Sequence, residues 1–211
     1  MGTHIDDSSE SLIRRKSLST RNGGMMTIVD TDETQDSLRV LKPSITRRVR
    51  VTDRLLANNR AFAARSDRKH LDVRPALRLA IVTCMDSRLD VFAALGLEDG
   101  QAHVLRNAGG VITDDVIRSL AISQRRLGTE EVALIHHTDC GLELITDDGF
   151  RAELHEATGM APSFAIESFT DVDANVRQSI ARVRHSPFLL HRDGVRGFVY
   201  DVDTGLLREI E

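Results

Sequence analysis

The sequence predicts an α/β fold, with a mainly parallel central β-sheet flanked by helices. Three observations carry that prediction. Short apolar runs rich in β-branched residues recur at 77–83 (LRLAIVT), 131–136 (EVALIH) and 195–200 (VRGFVY), as buried strands require. Amphipathic helical segments alternate with them, and strand–helix alternation builds crossover units over a parallel sheet. The 211 residues are 41% hydrophobic and 28% charged, enough for one sizeable core.

Taken in order, residues 1–45 are dominated by Ser, Thr, Asp, Arg and Gly with little periodicity. A segment of that composition buries too little apolar surface to offset its ordering entropy, so it reads as a disordered tail ahead of a domain over 46–211. Val51, Leu55, Leu56, Phe62 and Ala63 share one side of a helix, with Thr52 as its N-cap. Pro75 breaks the chain before the strand at 77–83, and a short helix over 89–95 stops at Gly96. A second strand occupies 102–105. Thr113 reads as an N-cap, with Asp114 and Asp115 in the first turn complementing the helix dipole. That helix runs through Val116, Ile117, Leu120, Ala121 and Leu127 and ends at Gly128, ahead of the third strand. Helices follow over 149–157 and 172–184, the latter with Val176, Ile180 and Val183 as its apolar face. The late strand at 195–200 is joined by an Asp203-Thr204-Gly205 turn to 206–210.

Composition excludes several function classes. A formal charge of -4, no Trp, one Tyr and 4% aromatics argue against a nucleic-acid binder. No apolar run approaches the roughly 18 residues of a membrane span, and the polar first ten residues do not read as a secretory leader. Two cysteines without a leader point to a reducing compartment, the cytoplasm, where thiols stay available for metal or catalysis.

Function in such sheets gathers at the carboxyl edge of the strands. The first strand runs into Cys84-Met85-Asp86-Ser87-Arg88 and the third into His136-His137-Thr138-Asp139-Cys140-Gly141, which brings both cysteines to one edge. Two thiolates and an imidazole make a catalytic-type zinc set, three protein ligands with a fourth position open. Alternation puts His136 and His137 on opposite faces, and the His-x-x-Cys spacing favours His137, leaving His136 as a buried structural histidine. The alternatives are a structural zinc with Asp86 as fourth ligand and two incidental buried thiols, the latter reduced by the joint placement beside His, Asp and Arg. Three residues rather than five separate Cys84 from Arg88, which excludes a phosphatase loop, and no Cys-x-x-Cys supports a redox dithiol. Arg106-Asn107-Ala108-Gly109-Gly110 follows the second strand at the same edge, either as a plain strand-to-helix turn or as backbone approaching the site.

These motifs resemble the β-class carbonic anhydrases: Cys-x-Asp-x-Arg at 84–88, Arg-Asn-Ala-Gly at 106–109 and His-x-x-Cys at 137–140, in that order. The forms CMDSR and HHTDCG look most like the small clade shared by archaea and actinobacteria, and the resemblance covers about residues 50–205. It implies a zinc ion on Cys84, His137 and Cys140, an Asp86–Arg88 dyad beside the metal, and a homodimer or higher homo-oligomer. The implied reaction is reversible hydration of CO2 to bicarbonate and a proton by zinc-bound hydroxide, with Arg88 holding the Asp86 carboxylate away from the metal. Some members are closed by this aspartate and controlled through a bicarbonate pocket containing a tryptophan. This chain has no Trp, so the open form is expected. Gly110 stands where many members carry another residue. The rival readings are a carbonyl sulfide or carbon disulfide hydrolase on the same scaffold, and a non-enzymatic zinc-stabilised module. His103 and His136 are proton-shuttle candidates by chemistry alone.

Overall fold

The computed structural model of the chain describes residues 50–65 and 71–211, so the tail expected over 1–45 lies outside the described residues. The strands are β1 (Leu79–Cys84), β2 (Ala102–Asn107), β3 (Glu131–His137), β4 (Val195–Tyr200) and β5 (Leu207–Ile210). The helices are α1 (Val51–Ala63), α2 (Val91–Leu95), α3 (Asp114–Leu127), α4 (Asp147–Thr158) and α5 (Val172–His185). Strand order is β2-β1-β3-β4-β5, with the first four parallel and β5 antiparallel to β4.

Local chemistry explains where these elements start and stop. Thr113 caps α3 by accepting the Val116 amide proton, Asp114 and Asp115 sit at its positive end, and Gly128 closes it in a left-handed conformation. Asp171 caps α5 through the Ala174 amide. Asp90 caps α2 through the Ala93 amide, so that helix begins at Val91 rather than 89. Thr52 is not an N-cap: α1 starts at Val51, and the Asp53 carboxylate reaches back to accept the Arg50 amide proton. No side chain of α1 is buried. The first three strands run past the expected ends because the parallel ladders continue, pairing Cys84 with Asn107 and His137 with Tyr200.

Strand alternation divides the core. Ala80, Val82, Val132, Leu134 and Val199 point to one face, where Val116 and Leu120 of α3 and Val176, Ile180 and Val183 of α5 cover them. Ile81 and Ile135 point to the other, against Leu89 and Val91. Helix α5 lies so close to β4 that a Cβ on Gly197 would run into Val176 and Ile180.

The amino end of the sheet is pinned by side chains. Gln124 accepts the Leu190 and His191 amide protons (2.8 and 3.1 Å) and donates to the His191 carbonyl (2.8 Å), tying α3 to the loop before β4. Ser123 Oγ lies 2.8 Å from both His103 Nδ1 and Thr129 Oγ1. No helix among the described residues is long and apolar enough to cross a membrane.

The carboxyl end is organised by topology. The chain leaves β1 for β2 on one side, and later leaves β3 for β4 on the other. Strands β1 and β3 are therefore neighbours whose connections diverge, and a crevice opens outside their carboxyl ends.

Candidate metal centre

Cys84 is the last residue of β1, His137 the last of β3, and Cys140 lies three residues beyond His137. Their ligand atoms all fall within 4.8 Å of one another, and all three residues are buried. This is the trio expected from the spacing. His137 Nδ1 lies 2.8 Å from the Thr138 carbonyl, so it carries the proton and donates it there. That bond leaves the Nε2 lone pair directed into the site, where the nitrogen is buried without a well-formed hydrogen bond among the described residues. A donated Nδ1 proton that leaves Nε2 facing the thiols is how a histidine is set up to bind a metal.

The two thiols share a proton unequally. The hydrogen bond from Cys140, helped by His137, brings the Cys84 thiol down to about 4 against the effect of burial. The same bond pushes the Cys140 thiol up. Burial opposes a charged His137, yet the adjoining Cys84 sulfur and the Thr138 carbonyl raise its pKa overall. A divalent cation would offset both thiolates at once, and two sulfurs with one imidazole nitrogen suit zinc. The residues present therefore fit a zinc ion.

Asp86 is oriented by Arg88. Its Oδ1 accepts the Arg88 amide proton (2.8 Å) and Nε (3.1 Å), and its Oδ2 accepts Nη2 (2.8 Å). These bonds hold the carboxyl well below the usual carboxylate range. Oδ2 lies 3.8 Å from His137 Nε2, so the anion borders the metal position. Arg88 also reaches the other ligand-bearing turn, where Nη1 donates to Asp139 Oδ2 (2.7 Å) and Nη2 to the Asp139 carbonyl (2.8 Å).

Both readings of the loop after β2 hold. Arg106 folds back over the Cys84 turn, donating to the Cys84 carbonyl from Nε (2.8 Å) and to the Asp86 carbonyl from Nη2 (2.7 Å). Gly110 is the tight glycine: its φ is +70°, and a Cβ there would sit 2.9 Å from both Cys84 N and the Thr83 carbonyl carbon. Val111, Leu142 and Phe169 pack against the two cysteines as an apolar shell.

His136 and His103 fall outside this constellation. His136 lies on the opposite face of β3 from His137, its ring 6.1 Å from that of Phe169, and burial pushes its pKa down to about 4, so it stays neutral. His103 is the second residue of β2, at the far end of the sheet, hydrogen-bonded to Ser123. Sequence reasoning missed Asp139 as a partner of Arg88 and the guanidinium of Arg106 as a clamp. Neither leaves a sequence signal, because the contacts span 51 and 22 residues and depend on β1 lying between β2 and β3.

The family model for carbonic anhydrase matches residues 79–146. β-Carbonic anhydrase 1 of Mycobacterium tuberculosis is 51% identical over 160 residues, 76% of this chain and 98% of the relative. A carbon disulfide hydrolase of Acidithiobacillus thiooxidans is 34% identical, covering 67% of this chain and 81% of that protein. Among solved structures, a carbonic anhydrase from Streptococcus mutans superposes with a TM-score of 0.73 at 44% identity, covering 77% of this chain and 99% of that one.

Proposed function

This chain belongs to the β-carbonic anhydrase family, and we propose that its carboxyl-edge site hydrates CO2 reversibly to bicarbonate and a proton, with zinc held by Cys84, His137 and Cys140. The observation that carries the assignment of ligands is the buried His137 Nε2 without a well-formed hydrogen bond, set by the Nδ1 bond to Thr138 and facing two thiols. Identity to the carbonic anhydrase relative is 51% against 34% to the carbon disulfide hydrolase, which favours CO2 over the sulfur analogue.

Zinc held by Cys84, His137 and Cys140 would supply a Lewis acid there. The protein supplies the rest. Asp86, kept anionic by Arg88, accepts a hydrogen bond from the attacking oxygen and orients it toward the carbon of CO2. Arg88 occupies both carboxylate oxygens, which keeps Asp86 an acceptor rather than a fourth ligand. Val111, Leu142 and Phe169 keep water from the rear of the sulfur ligands and lower the local dielectric. With zinc bound, both thiolates would neutralise its charge, and the apolar shell and the Asp86 anion would set the field around the open position.

The enzyme works in the cytoplasm, a placement supported by two unpaired thiols that a reducing compartment preserves. It assembles as a homodimer or higher homo-oligomer, supported by exposed apolar side chains such as Phe164 (60%) and Phe188 (65%). Light scattering on the purified chain tests the assembly.

Stopped-flow CO2 hydration by zinc-loaded protein at about pH 8.5 tests the reaction, with activity rising from about pH 6.5 to 9. Cys84→Ser is expected to lose both zinc and hydration. A wild type that binds one zinc per chain and does not hydrate CO2 refutes the assignment.

A further inference from the structure

Arg88 joins the two ligand-bearing turns beside this site. Its guanidinium meets Asp86 on the turn after β1, and both the carboxylate and the backbone carbonyl of Asp139 on the turn after β3. The second turn carries two of the three metal-ligand candidates, His137 and Cys140. Asp139 holds a positive φ of +54°, a conformation unusual outside glycine and tolerated by Asp and Asn. In that conformation both its acceptors face the same guanidinium.

Asp86 and Arg88 are two residues apart in one turn, so their pairing alone lets them swing as a unit. Arg106 restrains the backbone of that turn through the Cys84 and Asp86 carbonyls, but it does not touch the Asp86 side chain. Only Asp139 ties the Asp86–Arg88 pair to the opposite turn among the described hydrogen bonds. With Asp86 Oδ2 already 3.8 Å from His137 Nε2, a short swing would bring the carboxylate onto the metal position.

We propose that Asp139 is a positioning residue for CO2 hydration: by anchoring Arg88 to the Cys140 turn it fixes the angle of Asp86 and keeps that carboxylate from becoming a metal ligand. The proposal rests on the carbonic anhydrase reading of the site. Asp139 is 72% exposed at its side chain, so as a surface ion pair it adds little to fold stability, and its effect is confined to geometry.

Asp139→Gly and Asp139→Asn test this, because glycine accepts the +54° backbone and asparagine retains it without the charge. Asp139→Gly is expected to keep the wild-type unfolding midpoint and zinc content. Its kcat at pH 7.5 falls about tenfold, the scale of one lost charge-assisted hydrogen bond, with KM nearly unchanged. The deficit shrinks as pH rises, and Asp139→Asn falls between the two. Independently of turnover, the cobalt(II)-substituted Gly variant shows at neutral pH a visible spectrum different from that of wild type, converging on it at high pH. An unchanged cobalt spectrum and pH profile overturn the proposal, whether kcat is intact or reduced, because a reduced kcat alone marks a merely structural contact. If wild type fails to hydrate CO2, the functional reading falls instead, while the cobalt spectra still decide the role of Asp139.

Discussion

The two ends of the sheet carry similar residues and treat them in opposite ways. At the amino end, His103, Ser123 and Thr129 form a closed chain of hydrogen bonds, and both polar atoms of the Gln124 amide are used. At the carboxyl end, His137 Nε2, both nitrogens of His136 and Asn107 Oδ1 are buried without well-formed hydrogen bonds among the described residues, a concentration that Ser186 Oγ, beyond the end of α5, does not match. An unmet buried polar atom costs on the order of 1–3 kcal/mol, so a protein retains several in one place only where something else repays them. His103, whose ring bond closes within the fold, belongs to the frame; His137, held in one tautomer with Nε2 facing two thiols, is prepared for a ligand.

Zinc uptake is the strongest test of that contrast. Without metal, His137 and Cys140 both have raised pKa values and hold protons that the metal must displace, whereas Cys84, at about 4, is already ionised. Groups with raised pKa values lose their protons only at higher pH, so affinity rises with pH. At pH 6, calorimetry in buffers of different ionisation enthalpy should count about two protons released per zinc, equivalent to roughly a hundredfold in affinity per pH unit. Release of no protons would mean that these three side chains are not the ligands.

The next effect is smaller and still confined to the carboxyl end. Gly110→Ala places a methyl group against the β1 backbone at Thr83 and Cys84 in a conformation that L-residues rarely adopt. Overpacking with backbone strain should cost about 2–4 kcal/mol, and zinc retention should fall with it because Cys84 is displaced. Thermal unfolding with and without added zinc reads both. A variant as stable as wild type would show that the loop can retreat and that its glycine is incidental.

Much of this architecture is legible in the sequence because it depends on local chemistry. The strand starts at Ala102, Glu131 and Val195, the Thr113 cap and the Gly128 stop follow from turn residues and periodicity. So does the meeting of Cys84, His137 and Cys140, since strand ends gather at one edge and His137 and Cys140 are three residues apart. Helix α1 shows the limit of local reading, where an apolar stripe was clear but Asp53 rather than Thr52 set the start. The 106–110 loop could be read as backbone approaching the site, but the seating of Gly110 on Thr83 and Cys84 and the Arg88–Asp139 contact could not, for a deeper reason. Both are fixed by which strands lie side by side, and the order β2-β1-β3 is written in no single segment. The His-x-x-Cys spacing sets His137 apart from His103 in the sequence, whereas the Ser123 bond that holds His103 is shown only by the fold.

The smallest effect probes the amino end, where the contrast predicts stability without function. Ser123→Ala removes the oxygen that links His103 Nδ1 to Thr129 Oγ1. Thr129 is fully buried and loses a partner it cannot replace with bulk water, whereas His103 is only half-buried and turns to solvent. The net cost is therefore about 1–2 kcal/mol, a fall of a few degrees in the unfolding midpoint for a domain of roughly 150 residues. Adding Thr129→Val to the Ser123→Ala background removes the stranded hydroxyl itself, so the double variant should be no less stable than the single one. Hydration activity and zinc content should not change in either variant. A loss of kcat at constant zinc would sink the division between the two ends, because it would make His103, at the far end of β2, part of the proton path rather than part of the frame.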